Sequence, residues 1–251
     1  YDMKILGSDF DGTLNYGGVD QVKCETIGAW RRAGNLFGLV SGRGPAFLQK
    51  LREQYPMLEM DYLVAYNGAF LVDAEGKILD TTVCRSVPVT ELTATLHRLG
   101  CPFVYVNSVS GYTVRTDGEP LRDGECRLSD LPRDLPWFYQ ISVQLETVSE
   151  AEAVTKKLKE TYEGRLNPLQ NGFCIDIVAS NVNKAEGLRK LAALYGGAEE
   201  DIIAVGDNIN DLDMLKAFHS YAMENGVDEV KRVAGGTVTS VTELILRELD
   251  T

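Results

Sequence analysis

Asp9-Phe10-Asp11-Gly12-Thr13 follows directly on a short, mainly apolar run of sequence. Alternate side chains of an extended chain point the same way, so the two aspartates would share one side at the end of a buried strand. Two negative charges in one crevice repel each other unless a cation or a shared proton relieves them. Gly12 permits a sharp departure from the strand, and Thr13 brings a hydroxyl back toward the same place. Taken alone, the stretch is equally consistent with an Asp-rich turn that closes a strand.

The composition excludes several classes of protein. The 251 residues suffice for one large domain or two modest ones, and 25 Lys and Arg against 37 Asp and Glu give a formal net charge of -12. This charge disfavours a nucleic-acid-binding or membrane-binding surface. The five cysteines are scattered and include no CxxC pair, which argues against a disulfide framework or a zinc site. No apolar run reaches the ~18 residues of a membrane span, so we expect a soluble, cytoplasmic protein.

Histidine-based chemistry is also disfavoured. The sequence has only two histidines, His97 and His219, and neither lies in a metal-ligand pattern. No GxSxG motif accompanies them, so a Ser-His-Asp triad has no support. Carboxylates are therefore the residues expected to carry any catalytic chemistry.

Apolar periodicity at both ends of the chain predicts an α/β core. The N-terminal part gives the strands Lys4–Asp9, Leu36–Ser41 and Tyr62–Tyr66, the helices Asp20–Ala33 and Pro45–Tyr55, and a hairpin over Ala69–Asp80. The C-terminal part gives the helix Lys184–Tyr195, the strand Ile202–Gly206, and the helices Asp211–Phe218 and Val241–Leu249. Strands that alternate with helices in this way are typical of a Rossmann-like parallel sheet with helices packed on it.

The pattern changes between these two parts. It predicts a helix over Pro88–Leu99, a hairpin of Phe103–Val106 and Tyr112–Thr116, a strand over Phe138–Glu146, a helix over Ser149–Tyr162 capped by Ser149, and a hairpin of Arg165–Leu169 and Phe173–Val178. This order indicates an inserted α+β module with an antiparallel sheet. We therefore predict one domain over residues 1–82 plus 183–251, interrupted by a second domain over residues 83–182.

Polar residues follow the predicted parallel strands at the point where each strand ends. They are Ser41, Gly42 and Arg43 after the second strand, Asn67 after the third, and Asp207, Asn208, Asn210 and Asp211 after the strand Ile202–Gly206. The carboxyl ends of parallel strands meet at one edge of a sheet, so these residues are expected to converge with Asp9 and Asp11. Four carboxylates in one crevice favour a hard divalent cation, and oxygen ligands without histidine favour Mg²⁺. Lys184 begins the helix after the insert and is the cation available to balance them.

The ordered motifs carry a family resemblance. DFDGT at 9–13, SGR at 41–43, Lys184 and GDNIND at 206–211 resemble the four motifs of the haloacid dehalogenase (HAD) superfamily, in particular its Cof-type sugar-phosphate phosphatases. Asn67-Gly68-Ala69 matches a further habit of that subgroup. The stretch between Thr13 and Ser41 is too short for a helical cap. The resemblance therefore implies a HAD-like core with a type-2 α/β cap inserted between Arg43 and Lys184.

The same resemblance implies a mechanism. Asp9 would attack a phosphate monoester to form an aspartyl-phosphate, and Asp11 would protonate the leaving oxygen and then activate water. Mg²⁺ would be held by the Asp9 side chain, the Asp11 backbone carbonyl and Asp207. The phosphate oxygens would be held by Ser41, Gly42, Lys184 and Asn210, with Thr13, Arg43, Asn67, Asn208 and Asp211 in supporting positions.

The substrate implied is a small phosphorylated metabolite, with discrimination expected from the inserted cap. A phosphomutase of the same superfamily and a non-catalytic binding protein on the same fold are the alternatives. A dehalogenase is disfavoured, because that reaction needs neither a second carboxylate nor a metal, and Asp11 and Asp207 are both present.

Overall fold

The chain forms two compact units in the computed structural model, which describes residues 3–250. The first unit comprises the chain up to Thr81 together with the chain from Asn183 onward, and the second comprises Thr82–Val182. Each unit has a sheet of its own. No helix among residues 3–250 is long and apolar enough to cross a membrane.

The regular elements alternate along most of the chain. The strands described are β1 (Ile5–Ser8), β2 (Leu36–Val40), β3 (Tyr62–Ala65), β4 (Phe70–Asp73), β5 (Ile78–Thr81), β6 (Phe103–Asn107), β7 (Gly111–Arg115), β8 (Glu125–Cys126), β9 (Gln140–Gln144), β10 (Leu166–Asn171), β11 (Cys174–Ala179), β12 (Ile202–Gly206), β13 (His219–Met223) and β14 (Gly236–Val238). The α-helices described are α1 (Gln21–Arg32), α2 (Phe47–Gln54), α3 (Val89–Arg98), α4 (Val148–Thr161), α5 (Lys184–Leu194), α6 (Leu212–Ala217), α7 (Asp228–Val233) and α8 (Val241–Leu249).

The first unit is built on an eight-stranded sheet in the order β14-β13-β12-β1-β2-β3-β4-β5. Strands β14 through β3 run parallel, and the hairpin strands β4 and β5 add antiparallel pairs at one edge. Residues of α5, α6 and α7 form one buried cluster with Ile5, Val40 and Val64 of the sheet. Strand β1 lies between β2 and β12, so the residues after β1 sit at the centre of the sheet edge. The prediction of a parallel-sheet α/β core is confirmed.

The second unit carries a six-stranded sheet in the order β10-β11-β9-β6-β7-β8. Its strand pairs are antiparallel except for the short pair of β7 and β8. Leu92 and Leu96 of α3 and Leu158 of α4 are buried in this unit. The predicted α+β module with an antiparallel sheet is therefore present.

Helix α4 begins at Val148, one residue before the predicted start, and its N-cap lies two residues before the predicted cap. Thr147, not Ser149, is the N-cap: its hydroxyl accepts a hydrogen bond from the Glu150 N–H at 3.2 Å, and Glu150 accepts one from the Thr147 N–H at 3.0 Å. This reciprocal pair is a capping box, which satisfies two backbone donors that the helix itself leaves open. A lone Ser at position 149 satisfies fewer, so the prediction was wrong.

The chain from 219 to 240 also has more structure than the pattern predicts. Strand β13, helix α7 and strand β14 complete the sheet at its other edge. Strand β13 contains His219, Ser220 and Tyr221, so it lacks an apolar run, and β14 has three residues. Strand β14 is the edge strand here, and so short an edge strand gives a weak hydrophobic signal.

Glu248 near the end of α8 ties this edge to β1. Its carboxylate accepts hydrogen bonds from Lys4 Nζ at 3.0 Å and Tyr221 Oη at 2.8 Å, and His219 Nε2 lies 2.7 Å from Oε1. Burial alone would raise the pKa of Glu248, but the hydrogen bonds from His219, Tyr221 and Lys4 outweigh it and hold the pKa below its ordinary value. The ionised form is therefore the one that stabilises the fold.

Glu248→Gln is expected to lower the free energy of unfolding by about 1–2 kcal/mol at neutral pH, because the partly exposed charge-assisted bonds are weakened. A group whose folded pKa is lowered contributes its stability above its ordinary pKa of about 4.3 and loses it as the pH falls through the lowered folded value. Urea unfolding at several pH values measures this difference. Glu200→Gln, an exposed control with the same charge change, should show no such loss. A difference from wild type that persists at the acid end would contradict the assignment.

Candidate active site

The Asp9 loop, residues 9–13, begins where β1 ends. The strand stops at Ser8, and the Asp9 N–H still donates to the Val205 carbonyl of β12 at 3.0 Å. The Asp9 side chain is buried, with an exposed fraction of 8% for the residue. The chain then turns sharply through Gly12, whose φ of 82° lies in the left-handed region that favours glycine.

Lys184 lies fully buried between two carboxylates. Its Nζ donates to Asp9 Oδ1 at 2.6 Å and to Asp211 Oδ1 at 2.5 Å. Lys184 is the first residue of α5, and Asn183 caps that helix by accepting a hydrogen bond from the Glu186 N–H at 2.8 Å. The helix start therefore fixes where the ammonium group lies, and a buried charge of this kind is stable only because it is paired.

Asp211 stabilises the Asp207 loop, residues 207–211, by hydrogen bonds to its backbone. Its second oxygen, Oδ2, accepts hydrogen bonds from the N–H groups of Asp207 at 2.9 Å and Asn208 at 3.1 Å. Asp211 is itself fully buried at the end of the short helical turn Ile209–Asp211. Both carboxylate oxygens are thus engaged, one by Lys184 and one by the loop backbone.

Asp207 completes a cluster of three carboxylates. One oxygen each of Asp9, Asp207 and Asp211 can be chosen so that the three lie within 4.8 Å of one another. Thr13 Oγ1 donates to Asp207 Oδ1 at 2.6 Å, which links the Asp9 loop to the Asp207 loop. One lysine faces three carboxylates, so the ionised cluster carries an excess of negative charge. All its donors are oxygens, and this donor set fits a hard divalent cation such as Mg²⁺.

The pKa shifts agree with this charge balance. Burial raises the pKa of Asp9 to about 8, although Lys184 opposes the shift, and burial likewise raises the pKa of Asp207 to about 6 against the hydrogen bond from Thr13. Burial would lower the pKa of Lys184, but Asp211 and Asp9 outweigh it and raise that pKa, so the lysine stays charged. Next to burial, the charges of Asp211 and Asp207 also raise the pKa of Asp9, and a bound cation would offset that repulsion.

Asp11 does not join this cluster. Beyond Asp9 the chain leaves the extended conformation and turns through Gly12, yet the charge of Asp11 still adds to the effect of burial in raising the pKa of Asp207. The Asp11 carboxylate is 53% exposed and accepts a two-pronged pair of hydrogen bonds from Arg43, at 2.9 Å from Nε and 2.8 Å from Nη2. The Arg43 guanidinium also lies 4.7 Å from the ring centroid of Phe47. A stacked, forked arginine holds a carboxylate in a defined orientation.

The turns after β2 and β3 meet next to Arg43, the residue that bonds to Asp11. Ser41 is buried, its hydroxyl accepts a hydrogen bond from the Arg43 N–H at 3.1 Å, and its carbonyl accepts one from the Asn67 N–H at 2.9 Å. Asn67 is fully buried with a φ of 54°, a left-handed conformation that Asn tolerates. Gly42 follows Ser41 in this turn. The two loops are therefore bonded to each other.

The amides of the Asp207 loop have different surroundings. Asn208 accepts a hydrogen bond from the Ile209 N–H at 2.8 Å and starts the helical turn that ends at Asp211. Asn210 lies half-buried within that turn. The structure thus brings together Asp9, Thr13, Lys184, Asp207 and Asp211 by direct hydrogen bonds, and it leaves Asp11 paired with Arg43.

Asn225 contacts the Asp9 loop although no motif in the sequence indicates it. Its side-chain amide donates to the Gly12 carbonyl at 2.9 Å from the turn after β13. A lone Asn beside Gly reads as an ordinary turn, and β13 itself was not predicted. Recognition of β13 as a further parallel strand would have placed the residues after it at the same sheet edge.

Gly12→Ala is expected to disturb the acidic cluster, because a Cβ at Gly12 would lie 2.4 Å from Asp207 Oδ2. Gly17→Ala is the matched control, since Gly17 has a φ of +71° and nothing within 4 Å of its added Cβ. Each variant pays about 1–2 kcal/mol for the left-handed conformation. Only Gly12→Ala should lose further stability in urea unfolding, together with any rise in melting temperature that Mg²⁺ produces. Equal losses in the two variants would contradict the close contact with Asp207.

Comparison with known proteins gives a match over nearly the whole chain. A family model described as haloacid dehalogenase-like hydrolase matches residues 6–243. The pyridoxal phosphate phosphatase YbhA of Escherichia coli strain K12 is 26% identical over 276 residues, covering 98% of this chain and 98% of that protein. The 5-amino-6-(5-phospho-D-ribitylamino)uracil phosphatase YitU of Bacillus subtilis strain 168 is 47% identical over 70 residues, which cover 28% of this chain and 26% of that protein.

A solved structure shares the fold over its full length. The protein SMU.1108c of Streptococcus mutans UA159 matches with a TM-score of 0.83 and 21% sequence identity, covering 100% of both chains. At this identity the likeness concerns the fold alone.

Proposed function

Because this chain belongs to the haloacid dehalogenase-like hydrolase family and is a phosphatase of small phosphorylated molecules, we propose that it cleaves a phosphate monoester with Mg²⁺ and through an aspartyl-phosphate on Asp9. The family match confirms the resemblance drawn from the motifs. The observation that carries the proposal is the buried bond between Lys184 and Asp9, with Asp207 and Asp211 in the same cluster. An arrangement with so many buried charges costs folding free energy, and such costs are typical of active sites.

Asp9 is the proposed nucleophile. Lys184 holds one carboxylate oxygen of Asp9, which fixes the orientation of the group and leaves the second oxygen for attack on phosphorus. The bond from that oxygen to phosphorus forms as the bond from phosphorus to the ester oxygen breaks. The product is an acyl-phosphate on Asp9 and a free alcohol.

Asp11 is the proposed general acid and base. It gives a proton to the departing ester oxygen, which would otherwise leave as a costly alkoxide. The resulting carboxylate then takes a proton from the water that attacks the phosphorus of the acyl-phosphate, so that inorganic phosphate and free Asp9 are released. The fork of Arg43 orients Asp11 for these transfers.

The Asp9 side chain, the Asp11 backbone carbonyl and Asp207 are the proposed ligands of Mg²⁺. When bound, the ion would offset the repulsion between Asp9 and the phosphate and stabilise the charge of the transition state. Thr13 orients Asp207 through its hydroxyl, and Asp211 supports the same loop through the backbone N–H groups of Asp207 and Asn208.

The phosphate oxygens are assigned to four donors. These are the Ser41 hydroxyl, the Gly42 N–H, the Lys184 ammonium and the Asn210 amide. Asn67 supports Ser41, because the Asn67 N–H donates a hydrogen bond to the Ser41 carbonyl. Fixed donors of this kind are worth most in a crevice from which water is excluded.

The proposed substrate is a small phosphorylated metabolite, such as a sugar phosphate. The two curated relatives act on different phosphomonoesters, pyridoxal phosphate and a phosphoribitylamino-uracil. The proposed groups that handle the phosphate are common to all such substrates. We assign discrimination to residues 83–182 as a cap. A panel of phosphate esters, with both phosphate release and isomer formation measured, identifies the substrate and separates a phosphatase from a phosphomutase.

Asp9→Asn is expected to reduce phosphate release by at least about 10³-fold, because a neutral amide cannot form the acyl-phosphate. The fold should remain, since Lys184 keeps Asp211 as a partner and one repelling charge is removed. Steady-state phosphate release and a melting curve measure the two effects. Asp213→Asn, an exposed position on α6, is the charge-matched control and should keep wild-type turnover. Retained turnover in Asp9→Asn would refute the nucleophile assignment.

Removal of divalent metal with EDTA is expected to abolish phosphate release, and added Mg²⁺ should restore it. Ca²⁺ should not restore it, because Ca²⁺ forms longer bonds and takes more ligands than Mg²⁺ does. The three proposed ligands and the phosphate would not supply these in the in-line geometry of the reaction. A coupled phosphate assay in chelated buffer is sufficient. Full activity in EDTA would contradict the proposed use of the Asp9 and Asp207 cluster.

A further inference from the structure

The turn after β13, residues 224–227, bonds to both loops that carry the acidic cluster. Asn225 Nδ2 donates to the Gly12 carbonyl at 2.9 Å. Two residues later, the Val227 N–H donates to the Asp207 carbonyl at 3.0 Å. The turn therefore connects the Asp9 loop with the Asp207 loop.

The turn is itself anchored to the sheet. The Glu224 N–H donates to the Val238 carbonyl of β14 at 2.8 Å, and the Gly226 N–H donates to the Met223 carbonyl at 2.9 Å. Gly226 is buried, and a Cβ there would lie 3.0 Å from the Asp207 carbonyl oxygen and 3.1 Å from its Cα. The lack of a side chain lets the backbone of the turn pack directly against that of Asp207. The turn is a fixed support for both loops.

These bonds form a ring that passes through Gly12 and through Asp207, one of the proposed metal ligands. Thr13 bonds to the Asp207 side chain, the Asp207 backbone bonds to the turn, and the turn bonds through Asn225 to Gly12. Glycine has more backbone freedom than any other residue type. A hydrogen bond to the Gly12 carbonyl therefore restricts rotation of the peptide plane between Gly12 and Thr13. That plane leads directly into Thr13. A rotation there would move the Thr13 hydroxyl away from Asp207.

We propose that Asn225 is a positioning residue for the divalent cation. Its amide fixes the Gly12 carbonyl, and this holds the oxygens of the Asp9 loop and of Asp207 at the spacing that the cation needs. This inference rests on the proposed metal site and names a residue that sets how well that site binds. Asn225 is exposed, so the bond contributes little to the stability of the fold. Metal ligands, in contrast, must be held within about 0.5 Å, so a small loss of register costs affinity.

Two variants each remove one bond of the turn. Asn225→Ala removes the donor to Gly12. Val227→Pro removes the N–H that bonds to Asp207, and proline accepts the φ of -67° found at Val227. Val227→Ala is the matched control, because it keeps that N–H and changes no charge.

The melting temperature is measured for each variant without metal and along an Mg²⁺ titration. Asn225→Ala is expected to melt close to wild type without metal, and its half-saturating Mg²⁺ concentration should rise about 10-fold, as is usual when a supporting group of a metal site is lost. Val227→Pro should show the same rise, and Val227→Ala should titrate like wild type. Turnover at saturating Mg²⁺ should return toward the wild-type value in Asn225→Ala.

The outcomes separate this inference from the proposed function. A wild-type protein with no Mg²⁺ response would overturn the metal site and the role of Asn225 together. A normal wild-type response with an unchanged half-saturation in Asn225→Ala would overturn the role of Asn225 alone. A lowered metal-free melting temperature with unchanged half-saturation would likewise overturn it, because it would make the bond purely structural.

Discussion

The buried ammonium group of Lys184 is the interaction on which the site depends. It bonds to Asp9 and Asp211 at once, and Asp211 in turn holds the backbone of the Asp207 loop. A charge with no exposed surface is tolerable only because it is paired with an opposite charge. The fold supplies Lys184 from the start of α5, Asp9 from the residue after β1 and Asp211 from the turn after β12. The paired charges therefore come from three parts of the chain that only the folded sheet brings together.

Much of the site could be predicted because its chemistry is written in short, ordered motifs. Asp9 and Asp207 follow strands whose apolar runs are plain in the sequence, and parallel strands bring their carboxyl ends to one edge. The strand Ile202–Gly206 has the predicted bounds. Lys184 was expected to balance the carboxylates, and the structure places it among them. In these cases local pattern and global fold give the same answer.

The rest depends on contacts between distant parts of the chain. Asp11 turns toward Arg43 because the chain leaves the extended conformation beyond Asp9, and alternation along a strand cannot foretell that turn. Asn225 lies on a turn after β13, a strand with too few apolar residues to be recognised. The Thr147 cap could have been predicted from the sequence, since Thr147 and Glu150 have the spacing of a capping box. Ser149 is also a common N-cap residue type and was chosen instead.

The central claim is that Asp9 becomes covalently phosphorylated during turnover. Borohydride added to the protein during steady-state cleavage of a good substrate with Mg²⁺ reduces an aspartyl-phosphate to homoserine, and mass spectrometry of the peptide that contains residues 9–13 locates it. We expect homoserine at position 9, dependent on both substrate and Mg²⁺ and absent from Asp9→Asn. Reduction at another residue, or an unmodified peptide under conditions of full turnover, would contradict the account.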